Sequence, residues 1–250
     1  MGAIKRFFQA SYSIPIVLFI WELCAHFRIV SPRILPPLEN VFRALVEDFG
    51  NGELPFHIAI TVERTLAGFV IGSVAGVLVG FILSRVRWVD YLFEPIFFAS
   101  YAVPKISLFP IFTFMFGIGT PSKVAFAALE CLYPMVVATH AASRMIPQQI
   151  IWAGENMGMS HRRLLWSVLI PACLPGILNG LRIALPIGLT IVIVTEMIGD
   201  THGVGFYIAN YGALFRPERV YAGMICIGAL GLIFDRAVLF MSNRITHARG

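Results

Sequence analysis

Five ionisable residues stand inside or at the edges of apolar stretches: Glu22, Lys105, Glu130, Arg182 and Glu196. An unpaired charge at bilayer depth costs about 2.5–3.5 kcal/mol, so such groups face a cavity or one another. Pro104 and Pro110 bracket the segment KISLF and interrupt helical hydrogen bonding there. Irregular backbone at membrane depth is tolerated where protein or a water-filled path covers it. Pro104, Lys105, Ser107, Glu130 and Glu196 are therefore candidates to border a translocation path. Two alternatives stand beside that reading: Lys105 pairs with Glu130 within the bundle, and Glu196 holds a loop rather than gating a path. Arg182 is expected near one end of its span, with its side chain reaching the interface.

No conventional catalytic chemistry is encoded. The chain has no G-x-x-x-x-G-K loop, H-E-x-x-H or G-x-S-x-G, and its six histidines do not cluster. Cys24, Cys131, Cys173 and Cys226 form no C-x-x-C pair and read as small packing residues. An intramembrane enzyme lacks its constellation of acid, base or metal ligands, and a secondary transporter has few acids for ion coupling.

The elements that must position these residues follow from composition. Hydrophobic residues make up 58% of the 250 and charged residues 13%, with a mean hydropathy of +0.79. That is too little charge to coat a globule in water, so lipid is the main solvent. The formal charge of +5 reflects basic loops and topology, not a nucleic-acid partner. Six stretches reach the length of a membrane helix: 11–28, 62–83, 92–116, 124–143, 175–198 and 220–241. The basic, apolar N-terminus lacks a cleavage site and reads as an uncleaved first span. With both termini on the cytoplasmic side, ten Lys and Arg fall inside and seven outside.

Between the first two spans, Leu38, Val41, Phe42, Leu45, Val46 and Phe49 recur at helical spacing. They predict a short amphipathic helix that lies on the membrane surface or packs on the span ends. Gly68, Gly72, Gly76 and Gly80 form a ladder on the second span, suited to close helix packing within the subunit or across a dimer. On the inner side, Pro147 starts a helix and Gly158 ends it in a left-handed turn. Ser160 then caps a second helix running to Pro171. This hairpin carries Arg162 and Arg163, whose position at a helix start gives no stability through the dipole; anionic headgroups or a partner's acids are the two readings.

The string Ala153-Gly154-x-x-x-Gly158-x-Ser160, with Ile170-Pro171 and Pro175-x-Ile177-x-x-Gly180-Leu181-Arg182, resembles the EAA loop of binding-protein-dependent ABC importer permeases. Leu35-Pro36-Pro37, the segment from Thr65 through Gly68-Phe69 to Gly80, PIFTFMFGIGTPSK (110–123) and TEMIGDTHGVGFYI (195–208) resemble further motifs of that family, in order, nearest to the nitrate, sulfonate and taurine permeases. Trp152 stands where the family usually has Glu, and Glu155 lies one turn later.

The resemblance implies an all-α transmembrane protein with the six-helix type I importer permease fold. It makes residues 1–250 one domain with a cytoplasmic coupling hairpin at 144–174. Ala153, Gly154, Glu155, Gly158, Met159 and Ser160 would form the coupling contact with one of two cytoplasmic ABC ATPase subunits. A second permease copy, as a homodimer, and an external substrate-binding protein complete the implied assembly in a bacterial inner membrane. ATP and Mg would be bound by the ATPase and no cofactor by this chain; the cargo would be a small, sulfonate-, nitrate- or taurine-like anion.

Overall fold

A computed structural model describes residues 13–85 and 104–247, together with 88, 91, 92, 95, 99 and 100 between them. All regular elements among the described residues are helical: α1 Ser13–His26, α2 Leu38–Gly50, α3 Glu53–Arg85, α4 Phe109–Phe116, α5 Thr120–Arg144, α6 Gln148–Asn156, α7 His161–Leu164, α8 Ile170–Met197, α9 Val204–Ala213 and α10 Pro217–His247. A 3-10 turn, Lys105–Leu108, leads into α4, and a π-turn, Leu165–Leu169, joins α7 to α8.

Among the described residues, four stretches are long and apolar enough to cross a membrane: Glu53–Arg85, Thr120–Arg144, Arg162–Met197 and Pro217–Ile245. Two shorter apolar helical stretches, Pro15–His26 and Lys105–Phe116, fall on the first and third expected spans. The start of the first expected span and much of the first half of the third lie outside the described residues, as do Lys5, Arg6, Arg87 and Arg249 of the charge count. The second span begins earlier than its apolar run suggests. Glu53, which lies before the expected span 62–83, belongs to α3, because Leu54, His57 and Thr61 are buried and carry the helix back to Gly52.

The bundle centres on α5. Its contact with α3 is the most extensive among the described elements, followed by that with α8. The glycine ladder makes the first contact possible. A methyl group at Gly68 would lie 2.6 Å from Ala127 Cβ, at Gly72 2.3 Å from the Ala128 carbonyl oxygen, at Gly76 2.5 Å from Met135 Cβ and at Gly80 2.7 Å from Thr139 Cβ. The ladder therefore packs within the subunit. A second set, absent from the sequence reading, faces α5 from α8: methyls at Gly176 and Gly180 would lie 2.4 Å from Ala142 Cβ and 2.7 Å from Ala138 Cβ. Small residues on both flanks let the helix backbones approach where lipid supplies little hydrophobic drive. Beyond this layer, Leu185, Leu189 and Ile193 of α8 pack on Leu230, Phe234 and Val238 of α10.

The amphipathic α2 takes the second of its two expected roles, packing on the ends of the spans. Val41, Ala44 and Asp48 are buried against the bundle, whereas Phe42, Val46 and Phe49 are exposed on the neighbouring face. Its N-terminus is capped from a distance: the Leu38 N–H donates to Glu22 Oε2 at 3.0 Å, and Trp21 Nε1 donates to the Pro36 carbonyl at 2.9 Å. Glu22 is thus no break in α1 but the acceptor for an orphan helix donor. Replacing Glu22 by alanine should cost about 0.5–2 kcal/mol, the range for losing an N-cap, read as a lower unfolding temperature in detergent. An unchanged transition would remove this role.

Candidate functional site

Two assemblies of polar or strained residues stand out, one at each end of the long helices. The first is a buried charge hub around Arg64 on α3. Its Nη1 donates to Glu196 Oε1 at 3.0 Å, to Asp200 Oδ2 at 2.6 Å and to the His202 carbonyl at 3.2 Å. Its Nε donates to Thr120 Oγ1 at 3.1 Å, at the start of α5. Lys123, only 1% exposed, adds a second cation 3.0 Å from Asp200. Two cations thus face two carboxylates in a site closed to solvent, the condition under which buried charge is tolerated.

Glu196 is the junction of this hub. It is fully buried and accepts from Arg64, from Thr61 Oγ1 at 2.9 Å and from the Gly205 N–H at 3.0 Å. The loop after α8 is stitched to α3 by two further bonds, Val204 N–H to Thr61 Oγ1 at 2.8 Å and Gly203 N–H to His57 Nδ1 at 3.0 Å. Gly203 has φ +104°, and a methyl there would lie 2.1 Å from the Glu196 carboxyl carbon. Only glycine fits both demands. Burial works against the Asp200 carboxylate, yet the Thr201 N–H, the Lys123 hydrogen bond and the Arg64 and Lys123 charges outweigh it and hold it below the ordinary aspartate range. Of the two roles expected for Glu196, the geometry is compatible with the holding of the loop: the side chain is fully buried and every hydrogen bond described for it comes from a protein donor.

A second polar cluster lies at the same end. Tyr207 on α9 donates to Asp48 on α2, Tyr211 donates to Glu53 at 2.8 Å, and Arg219 on α10 bonds Tyr211 and lies 3.4 Å from Asp48. Four helices are tied together by it.

Glu130 is buried, the Lys105 ammonium acts on it electrostatically, and Lys105 Nζ stands 4.6 Å over the Tyr133 ring. Pro104 and Ser107 are exposed, and Ser107 Oγ donates to the Pro104 carbonyl at 2.8 Å. The expected break at the two prolines is present, since the backbone is 3-10 from Lys105 to Leu108 and α4 starts at Phe109 with Pro110 in its first turn. This group and Glu196 do not form one site: Glu130 sits seven residues beyond Lys123 on α5, about 10 Å along the axis.

The second assembly is the hairpin. The N–H groups of Met157, Gly158 and Met159 close the end of α6 onto the carbonyls of Ala153, Glu155 and Gly154. Gly158 has φ +73°, the left-handed turn expected of it. Ser160 then accepts from the Arg163 N–H through Oγ at 3.4 Å and from the Leu164 N–H through its carbonyl at 2.9 Å. Ile151, Leu164 and Leu169 give the hairpin a small core of its own. Gly154 belongs to that core, because a methyl there would lie 2.5 Å from Leu164 Cδ1. Its small size serves contact between the two arms of the hairpin. Met159 also packs against this core, whereas Ala153, Glu155, Gly158 and Ser160 are exposed.

The second arm does not stop at Pro171. The Ile170 N–H bonds the Leu165 carbonyl in a π-turn, and the helix continues through Pro171 to Met197. The wide turn takes up the offset that the missing proline N–H introduces. Arg182 also departs from expectation. Its Nε donates to Asp235 Oδ1 on α10 at 2.9 Å, so it is paired rather than reaching alone for an interface.

The sequence reading missed Arg64, Lys123, Asp200, Asp48 and Asp235 as structural partners. A signal was present for the first three: they fall in or beside three of the family-like motifs, so the motifs converge on one hub.

The comparisons with known proteins agree with this architecture. Residues 68–247 match the family described as binding-protein-dependent transport system inner membrane component. The taurine transport system permease protein TauC of Escherichia coli (strain K12) is 27% identical over 243 residues, covering 95% of this chain and 88% of that protein. A putative aliphatic sulfonates transport permease protein, SsuC of Bacillus subtilis (strain 168), is 25% identical over 230 residues, covering 92% and 83%. The fold is shared with an inward-facing structure of the MetNI methionine ABC transporter, at TM-score 0.67 and 20% identity, covering 74% of this chain and 93% of that one. With the family match spanning most of the chain and the same helical fold in a solved importer, the chain belongs to the binding-protein-dependent inner-membrane components, the permeases of ABC importers.

Proposed function

We propose that this permease works as two copies, carries a small sulfonate-like anion handed over by an external binding protein, and is driven by two ATPase subunits seated on the 144–174 hairpin. The observation that carries the ATPase contact is the hairpin itself. Trp152, Met157 and Trp166 are exposed at 55%, 75% and 70% on an element that has its own core and needs none of them for folding. Exposed apolar side chains grouped at a bend mark a protein contact, and the relatives are named as transport permease proteins. The hairpin end is cytoplasmic in this reading, as are both termini, and the hub faces outward. The depth fits, since Arg64 and Arg85 are 21 residues apart on α3, about 31 Å at 1.5 Å per residue, the thickness of a bilayer core. The names of the taurine and sulfonate relatives support the cargo class.

ATP and Mg belong to the ATPase. The hub and the Asp48–Arg219 cluster hold the outward ends of the helices in register, and Glu196 acts there as a strut. Glu155, exposed one turn after Trp152, supplies the hairpin's carboxylate to the partner.

Gly158 tests this reading. A valine at φ +73° is strained by about 1–3 kcal/mol, which reshapes the bend without touching the spans. Gly158→Val should insert and assemble normally in proteoliposomes, yet lose solute-stimulated ATP hydrolysis and at least about tenfold of its uptake, on the order of that strain. Wild-type stimulation in the assembled variant would overturn the coupling role.

A further inference from the structure

The surfaces of α3 and α8 differ in a way the hub and the hairpin do not explain. On α3, the exposed residues between Arg64 and Arg85 are Leu66, Val70, Ile71, Val74, Leu78 and Ile82, all apolar, as a lipid-facing surface requires. On α8, the exposed residues include Pro175, Asn179, Arg182, Pro186 and Thr190. At 100° per residue these five fall within an arc of about 80°, a single stripe down one face. Arg182 is its centre, with its side chain 51% exposed and that of its partner Asp235 34% exposed.

This stripe lies at membrane depth. Arg182 is fourteen residues before Glu196 on one helix, about 21 Å from the hub, and Arg85 on the neighbouring span lies deeper still. An ion pair left open at that depth is expected only beside water or another protein surface. Thr190 Oγ1 donates to the Pro186 carbonyl at 2.9 Å, so its hydroxyl is held along the same face.

We infer that Arg182, with Asn179 one turn before it, is an anion-binding station on the cargo's path between the two permease copies, for a small oxyanion such as a sulfonate. The Asp235 bond engages one of the five guanidinium N–H donors, through Nε. The terminal nitrogens keep their donors for two oxygens of a sulfonate, the fork geometry that suits arginine to oxyanions. Asp235 orients the guanidinium and balances its charge when no cargo is present, so the station binds weakly enough to release. This inference rests on the proposed function, because it assumes an anionic cargo and a path along α8.

The test uses the whole complex in proteoliposomes, with the binding protein loaded with a radiolabelled alkanesulfonate. Absence of ATP-dependent uptake by the wild type would sink the proposed function itself. Given that uptake, Arg182→Gln should lower it more than tenfold while keeping hydrolysis stimulated by the binding protein, and Arg182→Lys should retain part of it. The double swap Arg182→Asp with Asp235→Arg keeps an ion pair but moves the cation to α10; it should stay assembled and fail to transport. Wild-type uptake in Arg182→Gln or in the swap would reduce the pair to a structural contact and overturn the inference. Should Arg182→Gln not assemble, Asn179→Cys decides. In the purified complex this thiol should react several-fold faster with an anionic than a cationic methanethiosulfonate, and excess alkanesulfonate should slow it. No reaction would place the stripe against lipid or a second copy and reject a water-filled station.

Discussion

Replacing Arg64 by methionine should lower the unfolding free energy of the purified permease by about 3–5 kcal/mol, the range for removing one partner of a buried ion pair. The cause is geometric. Arg64 bridges Glu196 and Asp200 at 3.0 and 2.6 Å, and without it Glu196 keeps only Thr61 and the Gly205 N–H as donors among its described bonds. Lys123 still meets Asp200, so the loss concentrates on Glu196 and on the loop that Glu196 anchors. Thermal unfolding followed by tryptophan fluorescence in mild detergent reads the effect. Adding Glu196→Leu to the arginine variant should recover part of the loss, because a paired charge replaced as a unit by apolar groups is nearly neutral. If Arg64→Met alone melts like the wild type, the hub carries no net structural role.

Gly72→Leu is expected to do more damage still. Even a single methyl at this position would sit 2.3 Å from the Ala128 carbonyl oxygen and 2.8 Å from Cys131 Cβ. The first of these is backbone of α5, which cannot rotate aside as a flexible side chain would. Overpacking a core costs about 1–3 kcal/mol where side chains can yield, and a leucine adds three more carbons to a seam with no room for one. Gly72→Leu should therefore fail to accumulate in the membrane, and Gly72→Ala should accumulate with a transition lowered by about 1–3 kcal/mol. A contrast variant, Gly228→Ala, places its methyl in open space on α10 and should behave as wild type. Normal accumulation of Gly72→Leu would mean that α3 and α5 do not meet as described.

What the sequence disclosed follows how local each signal was. Four of the six apolar runs, the spacing of four in the α3 ladder, and the Gly158 bend with its Ser160 cap are local patterns, and among the described residues each has the structure that its spacing implies. The hub is not local: Arg64 meets Glu196 and Asp200 from 132 and 136 residues away. Read singly, neither Arg64 nor Lys123 has anything in its sequence neighbourhood that names a partner. Arg182 was misjudged for the same reason, since Asp235 lies 53 residues on in another helix. Pro171 misled in the opposite direction. A proline commonly ends a helix, but the π-turn before it accommodates the missing donor, and no composition rule announces a π-turn.

That uninterrupted helix has a mechanical consequence. From Arg162 to Met197 it runs 36 residues, about 54 Å at 1.5 Å each, with the bend on which Gly158 sits at one extremity and the Glu196 strut at the other. Tilting such a rod by 10° about its midpoint carries its two tips about 5 Å in opposite directions. In the proposed pair of copies, one membrane face would then narrow as the other widened, and a see-saw of this kind would exclude simultaneous opening without any separate gate.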